Sequence, residues 1–215
     1  MKTTEIVMIL DASGSMYDLT EDTIGGFNSF IEEQKANNEA GDQVLVSAVK
    51  FSDSSKVMYD RVPIEKIEKM TKRQYRTGGC TALLDAMGDA IKHIGNVHKY
   101  ARPEDVPETT IFVIITDGYE NASHKYSSDA IKKIVKKQEK NHGWQFLFLG
   151  ANIDAVETGA DFGFSEENSI NYIADEKGTD VVFKSINIAV GSARACGSVC
   201  ADWADEVNED YKSRK

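Results

Sequence analysis

Two stretches decide what this chain can fold into. Residues 5–10 (EIVMIL) and 109–116 (TTIFVIIT) are almost continuously apolar rather than alternating, and each stops at an aspartate, Asp11 or Asp117. A strand exposed to water on one face alternates apolar and polar residues, so runs of this kind belong to strands covered on both faces. Parallel sheets with helices on either side have such strands. Between and beyond the two runs the pattern changes to helical spacing. Ile24, Phe27, Phe30 and Ile31 mark a helix over 20–36, and Leu83, Leu84, Met87, Ile91 and Ile94 mark a longer one over 82–100. Segments 44–51 (VLVSAVKF) and 56–62 (KVMYDRV) are strand-like and lie so close together that they predict an antiparallel hairpin, its second strand at the sheet edge.

The remainder continues the alternation. A Lys-rich helix is predicted over 128–141, a strand over 144–149, a short helix over 154–162, a weak strand over 169–173 and a last helix over 176–199. The whole reads as a doubly wound, mostly parallel six-stranded α/β sheet with one antiparallel edge strand and helices on both faces. One domain over 1–200 is expected, followed by a polar tail at 201–215 that frays. The composition agrees with a sizeable core: 41% of the 215 residues are hydrophobic and 28% charged. A formal net charge of -10 argues against nucleic acid and anionic membranes as partners, and no apolar run is long enough to span a bilayer. The three cysteines, Cys80, Cys196 and Cys200, form no disulfide framework, and no export signal precedes the first strand; a cytoplasmic location is expected.

The chemistry sits in Asp11-Ala-Ser-Gly-Ser15. In open α/β sheets, ligands bind at the carboxyl ends of strands, where this loop falls. A carboxylate and two hydroxyls on alternate residues converge if the loop curls over the strand end. Asp117 ends a second strand expected beside the first, and Thr81 starts the long helix after the flexible Gly78-Gly79. Together these are hard oxygen donors, suited to Mg²⁺, with Mn²⁺ or Ca²⁺ also possible occupants, rather than to softer metals.

These residues resemble the metal-ion-dependent adhesion site of von Willebrand factor A domains, in which D-x-S-x-S is followed by a distant Thr and a distant Asp. The order of elements is similar over nearly the whole chain. The resemblance implies that Ser13 and Ser15 ligate the metal directly, Thr81 does so when a ligand is bound, and Asp11 and Asp117 act partly through water. It further implies a stand-alone intracellular domain of bacterial or phage type. Such a domain would use the metal to engage an Asp or Glu of a protein partner, within an assembly that often includes an ATPase.

A competing reading is a Mg²⁺-dependent phosphohydrolase with Asp11 as nucleophile. Enzymes of that kind resemble D-x-D here, and Ser13 cannot supply the acid/base carboxylate; no catalytic residue is assigned. Other residues carry less. Glu120 reads as a solvated loop carboxylate, outside the site. Tyr17 and Asp18 either line a partner surface or, for the tyrosine, pack under the loop. Cys196 and Cys200, four apart, are expected on one helical face as small core residues. Cys80 reads as a filler of its tight loop, and the lysines at 132, 133, 136, 137 and 140 as a solvated face.

Overall fold

A computed structural model of the chain describes residues 2–38 and 41–215. The near-continuous apolar runs are the central strands of one six-stranded sheet, in the order β3-β2-β1-β4-β5-β6. These are β1 (Thr3–Asp11), β2 (Gln43–Phe51), β3 (Ser55–Pro63), β4 (Thr109–Thr116), β5 (Gln145–Ala151) and β6 (Ser169–Tyr172). All neighbours pair in parallel except β2 and β3, the antiparallel hairpin at the edge. The helices are α1 (Thr20–Ala36), α2 (Leu83–Tyr100), α3 (Ser128–His142), α4 (Ala155–Phe162), α5 (Glu176–Cys196) and α6 (Asp205–Arg214).

Alternate side chains of each central strand enter opposite cores. Ile6, Met8 and Leu10 pack with Phe27 and Phe30 of α1 and Val182 and Ile186 of α5. Val7 and Ile9 pack with Met87 and Ile91 of α2, Ile131 and Val135 of α3, and Phe162 of α4. Having a core on both faces is what makes alternation disappear from β1 and β4. One charge lies inside the strand run. Glu5 is fully buried, with Arg61 Nε at 2.7 Å from one carboxylate oxygen and His98 Nε2 at 2.5 Å from the other. Those partners are what allow a carboxylate at that depth.

Two expectations are corrected and one gap is filled. Residues 201–215 are not a frayed polar tail: Trp203 and Val207 are buried in the core shared with α1 and α5, and the Trp203 indole donates to the Glu167 carbonyl at 3.2 Å. The expected helix over 176–199 ends at Cys196, because Gly197 takes a left-handed conformation (φ 80°). Cys196 and Cys200 therefore share no helical face. Cys196 is exposed, Cys200 is partly buried, and neither is a core residue of α5. Residues 64–75 show no periodic pattern, yet Ile64, Ile67, Met70 and Tyr75 close the core beneath β2 and β3.

Candidate metal centre

The order of strands puts the carboxyl ends of β1 and β4 side by side, with the chain leaving them in opposite directions across the sheet. Asp11 and Thr116 lie at those ends, and Asp117 follows immediately. Peptide groups at a strand end have no ladder partner on that side, so the loops that leave must satisfy them. They do so by bonding to each other. Ala12 N–H donates to the Phe51 carbonyl at 2.7 Å, Gly78 N–H to the Ala12 carbonyl at 2.8 Å, and Gly14 N–H to the Gly79 carbonyl at 3.0 Å. Gly79 is a required glycine here. Its φ is +86°, and a Cβ would stand 2.1 Å from the Asp53 carboxylate.

Within that frame the four residues from β1, its loop and β4 form one hydrogen-bonded chain. Asp11 Oδ1 accepts from Ser13 N at 2.7 Å, and Asp11 Oδ2 from the Thr116 hydroxyl at 2.6 Å. The Ser13 and Ser15 hydroxyls are 3.1 Å apart, and the Ser15 hydroxyl donates to Asp117 Oδ1 at 2.6 Å. Thr81 joins from the other side. A Cβ on Gly118 would lie 3.7 Å from Ser15 Oγ and 3.9 Å from Thr81 Oγ1, so both hydroxyls face the same backbone. All five residues singled out in the sequence thus meet at one crevice.

Residues that the sequence reading left outside the site hold this arrangement. Asn121 grips Thr81 through its main chain: Thr81 N–H donates to Asn121 Oδ1 at 2.9 Å, and Asn121 N–H to the Thr81 carbonyl at 3.0 Å. Glu120 is not a solvated carboxylate. It caps α2, which has no side-chain cap of its own, by accepting from Leu84 N at 2.8 Å, and it also accepts from Ala122 N and Ser123 N. Asp85 answers from α2, accepting from three main-chain N–H groups at 124–126. Beneath the crevice the buried Tyr75 hydroxyl donates to the Asp11 carbonyl. Tyr17 does not pack under the loop: it is 72% exposed, whereas its neighbour Met16 is buried.

Burial raises the carboxyl of Asp11 above the usual range, against the pull of the Thr116 and Ser13 hydrogen bonds, and burial likewise raises Asp117. Among the described residues neither has a basic side chain acting on it, so a hard cation would supply the positive charge that the two carboxyls lack. The donor set fits such an ion: two carboxylates and three hydroxyls, all oxygen. Among the described residues no group of three or more His, Cys, Asp or Glu side chains is placed to hold a metal. Any cation here would depend on the hydroxyls of Ser13, Ser15 and Thr81.

A doubly wound sheet with its polar crevice at the switch point between β1 and β4 defines a Rossmann-like domain. More narrowly, the chain belongs to the von Willebrand factor type A domain family, whose profile matches residues 5–190. Solved structures with this fold include the PilB minor pilin from Streptococcus sanguinis (TM-score 0.63, 12% identity, 90% of this chain and 62% of that one). A von Willebrand factor type A protein from Catenulispora acidiphila is also similar (TM-score 0.59, 13% identity, 89% and 43%). So is proximal thread matrix protein 1 from the mussel byssus, with a zinc-occupied MIDAS motif (TM-score 0.58, 14% identity, 86% and 45%). The chain spans less than two thirds of each of these. No curated protein matches it.

Proposed function

We propose that Asp11, Ser13, Ser15, Thr81 and Asp117 form a metal-ion-dependent adhesion site through which this domain binds a protein partner by one of the partner's Asp or Glu side chains. The observation that supports it is the chain of hydrogen bonds from Asp11 through Ser13 and Ser15 to Asp117, with the Thr81 hydroxyl across Gly118. Membership of the family supports it too, as does the zinc-occupied motif of the similar mussel protein. Mg²⁺ is the ion proposed, since hydroxyl-rich oxygen sites favour hard cations. A cation held by three neutral hydroxyls, with the two carboxylates behind them, would keep an anchor point for an incoming carboxylate.

The residues divide the work. Asp11 has both oxygens occupied by Ser13 N and Thr116 Oγ1, so it positions the loop and acts at a distance. Ser13, Ser15 and Thr81 present hydroxyls, and Asp117 orients Ser15. We place the domain in the cytoplasm; three free thiols suit a reducing compartment. No helix among the described residues is long and apolar enough to cross a membrane.

Mg²⁺ at about 100 times its dissociation constant should stabilise the fold by about 2.7 kcal/mol. That corresponds to a rise of roughly 5–10 °C in melting temperature for a domain of this size. EDTA should reverse the shift and Asp11→Ala should abolish it. A melting curve unmoved by Mg²⁺, Mn²⁺ and Ca²⁺ alike rules the site out. The reading as a binding module also predicts no turnover: with Ser13 two residues after Asp11, aryl phosphates and nucleotides should survive incubation with Mg²⁺ and protein. Hydrolysis that disappears in Asp11→Asn would instead make the domain a phosphohydrolase.

A further inference from the structure

Beside the metal crevice lies a group of cations without counter-charges. Val49 and Phe51 face the α2 side of the sheet, so Lys50 between them faces the other, with Leu10 opposite it on β1. Directly across the hairpin from Lys50 stands Lys56. Arg76 follows the buried Tyr75 whose hydroxyl bonds Asp11, and is exposed, as is Lys56. Among the described residues none of the three makes an ion pair or side-chain hydrogen bond, although other basic side chains, such as Arg61, Arg102, Lys125 and Arg214, do. Burial, then Lys56, then Arg76 lower the Lys50 ammonium below its ordinary value, so both neighbours act on Lys50.

Like charges directly opposite on neighbouring strands destabilise a sheet. In a chain with ten more acidic than basic residues counter-charges are plentiful, yet among the described residues none pairs with these three. A cluster that lowers stability, with Lys56 and Arg76 exposed and Lys50 half-buried, is suited to an external anion.

We propose that Lys50, Lys56 and Arg76 form a second anchor for the same protein partner, gripping carboxylates that flank the one aimed at the metal crevice, so that the partner presents an acidic segment rather than a single acidic residue. This rests on the reading of the crevice given above. The spacing fits: Lys50 is one strand from β1 and Lys56 two, roughly 10 Å at about 4.8 Å per strand. An extended segment rises about 3.3 Å per residue and repeats each face every second residue. Flanking carboxylates two and four positions from the metal-bound one would therefore fall over the cluster.

The test uses two fluorescein-labelled Gly/Ser peptides, one carrying a single glutamate and one carrying three at alternate positions. Binding to the full chain is followed by fluorescence anisotropy at low salt, in Mg²⁺ and in EDTA. In Mg²⁺ the three-glutamate peptide should bind the wild type roughly tenfold tighter, the two added carboxylates each meeting an exposed cation. The Lys50→Gln/Lys56→Gln/Arg76→Gln variant should lose that advantage and keep its response to Mg²⁺. If the advantage persists in EDTA while Mg²⁺ changes nothing, the cluster stands and only the metal reading fails. Lys56→Gln alone, at an exposed position, should keep the fold, raise the melting temperature by about 1–3 °C through relief of the cross-strand repulsion, and lose part of the advantage. Equal binding of both peptides by the wild type, binding of neither, or an undiminished advantage in the variants overturns the proposal. So does a phosphoserine peptide or a DNA duplex that binds more tightly through the same three residues.

Discussion

Trp203→Ala should cost about 3–5 kcal/mol, the usual range for emptying an aromatic site in a core. The melting temperature should fall by roughly 6–20 °C at about 2–4 °C per kcal/mol. Trp203 is 2% exposed and shares a core with Val182 and Ile186 of α5, and its indole N–H is bonded to the Glu167 carbonyl. Alanine would leave a cavity and remove that hydrogen bond. The helix after it is fastened at the far end as well: Arg214 pairs with Asp175 at 2.5 Å, and Asp175 caps α5 through Gly178 N at 2.7 Å. Arg214→Ala should thus destabilise too, but by much less, since its guanidinium is partly exposed. Calorimetry on the two variants separates a packed terminal helix from a frayed tail. A Trp203→Ala variant that melts with the wild type would mean that residues 201–215 do not belong to the folded domain.

That result bears on why this segment was illegible in the sequence. From Asp205 onward charged residues dominate, and the apolar residues that dock it, Trp203 and Val207, are too few to show a period. Residues 64–75 failed to signal for a related reason. Ile64, Ile67, Met70 and Tyr75 recur at irregular intervals, and only a short 3-10 turn interrupts the loop that carries them. By contrast β1 and β4 were legible because burial on both faces leaves nothing to alternate, and their terminal aspartates marked where the loops leave. The five crevice residues could be found because strand ends converge in any doubly wound sheet. Their supports could not. Glu120 caps a helix 36 residues before it, and Asn121 holds a threonine 40 residues away. Contacts of that range leave no local pattern; Glu120 in isolation looks like any loop carboxylate. Residues 196–200 misled because a left-handed Gly197 ends α5 between the two cysteines.

Loss of partner binding without loss of fold is the expected outcome for Thr81→Ala and Ser13→Ala. Removing the hydroxyl of Thr81 leaves its main-chain bonds to Asn121 intact. Removing that of Ser13 leaves the bond from its N–H to Asp11. Neither side chain fills the apolar core, so melting in EDTA should match the wild type to within about 1 kcal/mol. Binding is another matter. If these hydroxyls hold the ion that meets the partner's carboxylate, each truncation leaves that carboxylate facing an incomplete site, a loss of about 2–5 kcal/mol or roughly 30- to 4000-fold in affinity. A partner captured in Mg²⁺ and released by EDTA supplies the reagent for titration. Changing its anchoring Asp or Glu to Ala should weaken binding by a similar factor. Combining that change with Thr81→Ala should add little, because both remove one bridge. Asn121→Ala sharpens the test: it keeps the Thr81 hydroxyl and releases the main chain that aims it, so an intermediate loss is expected. Full additivity of the two bridge variants, or a partner held as tightly in EDTA as in Mg²⁺, would place the contact elsewhere on the domain even if the metal itself binds.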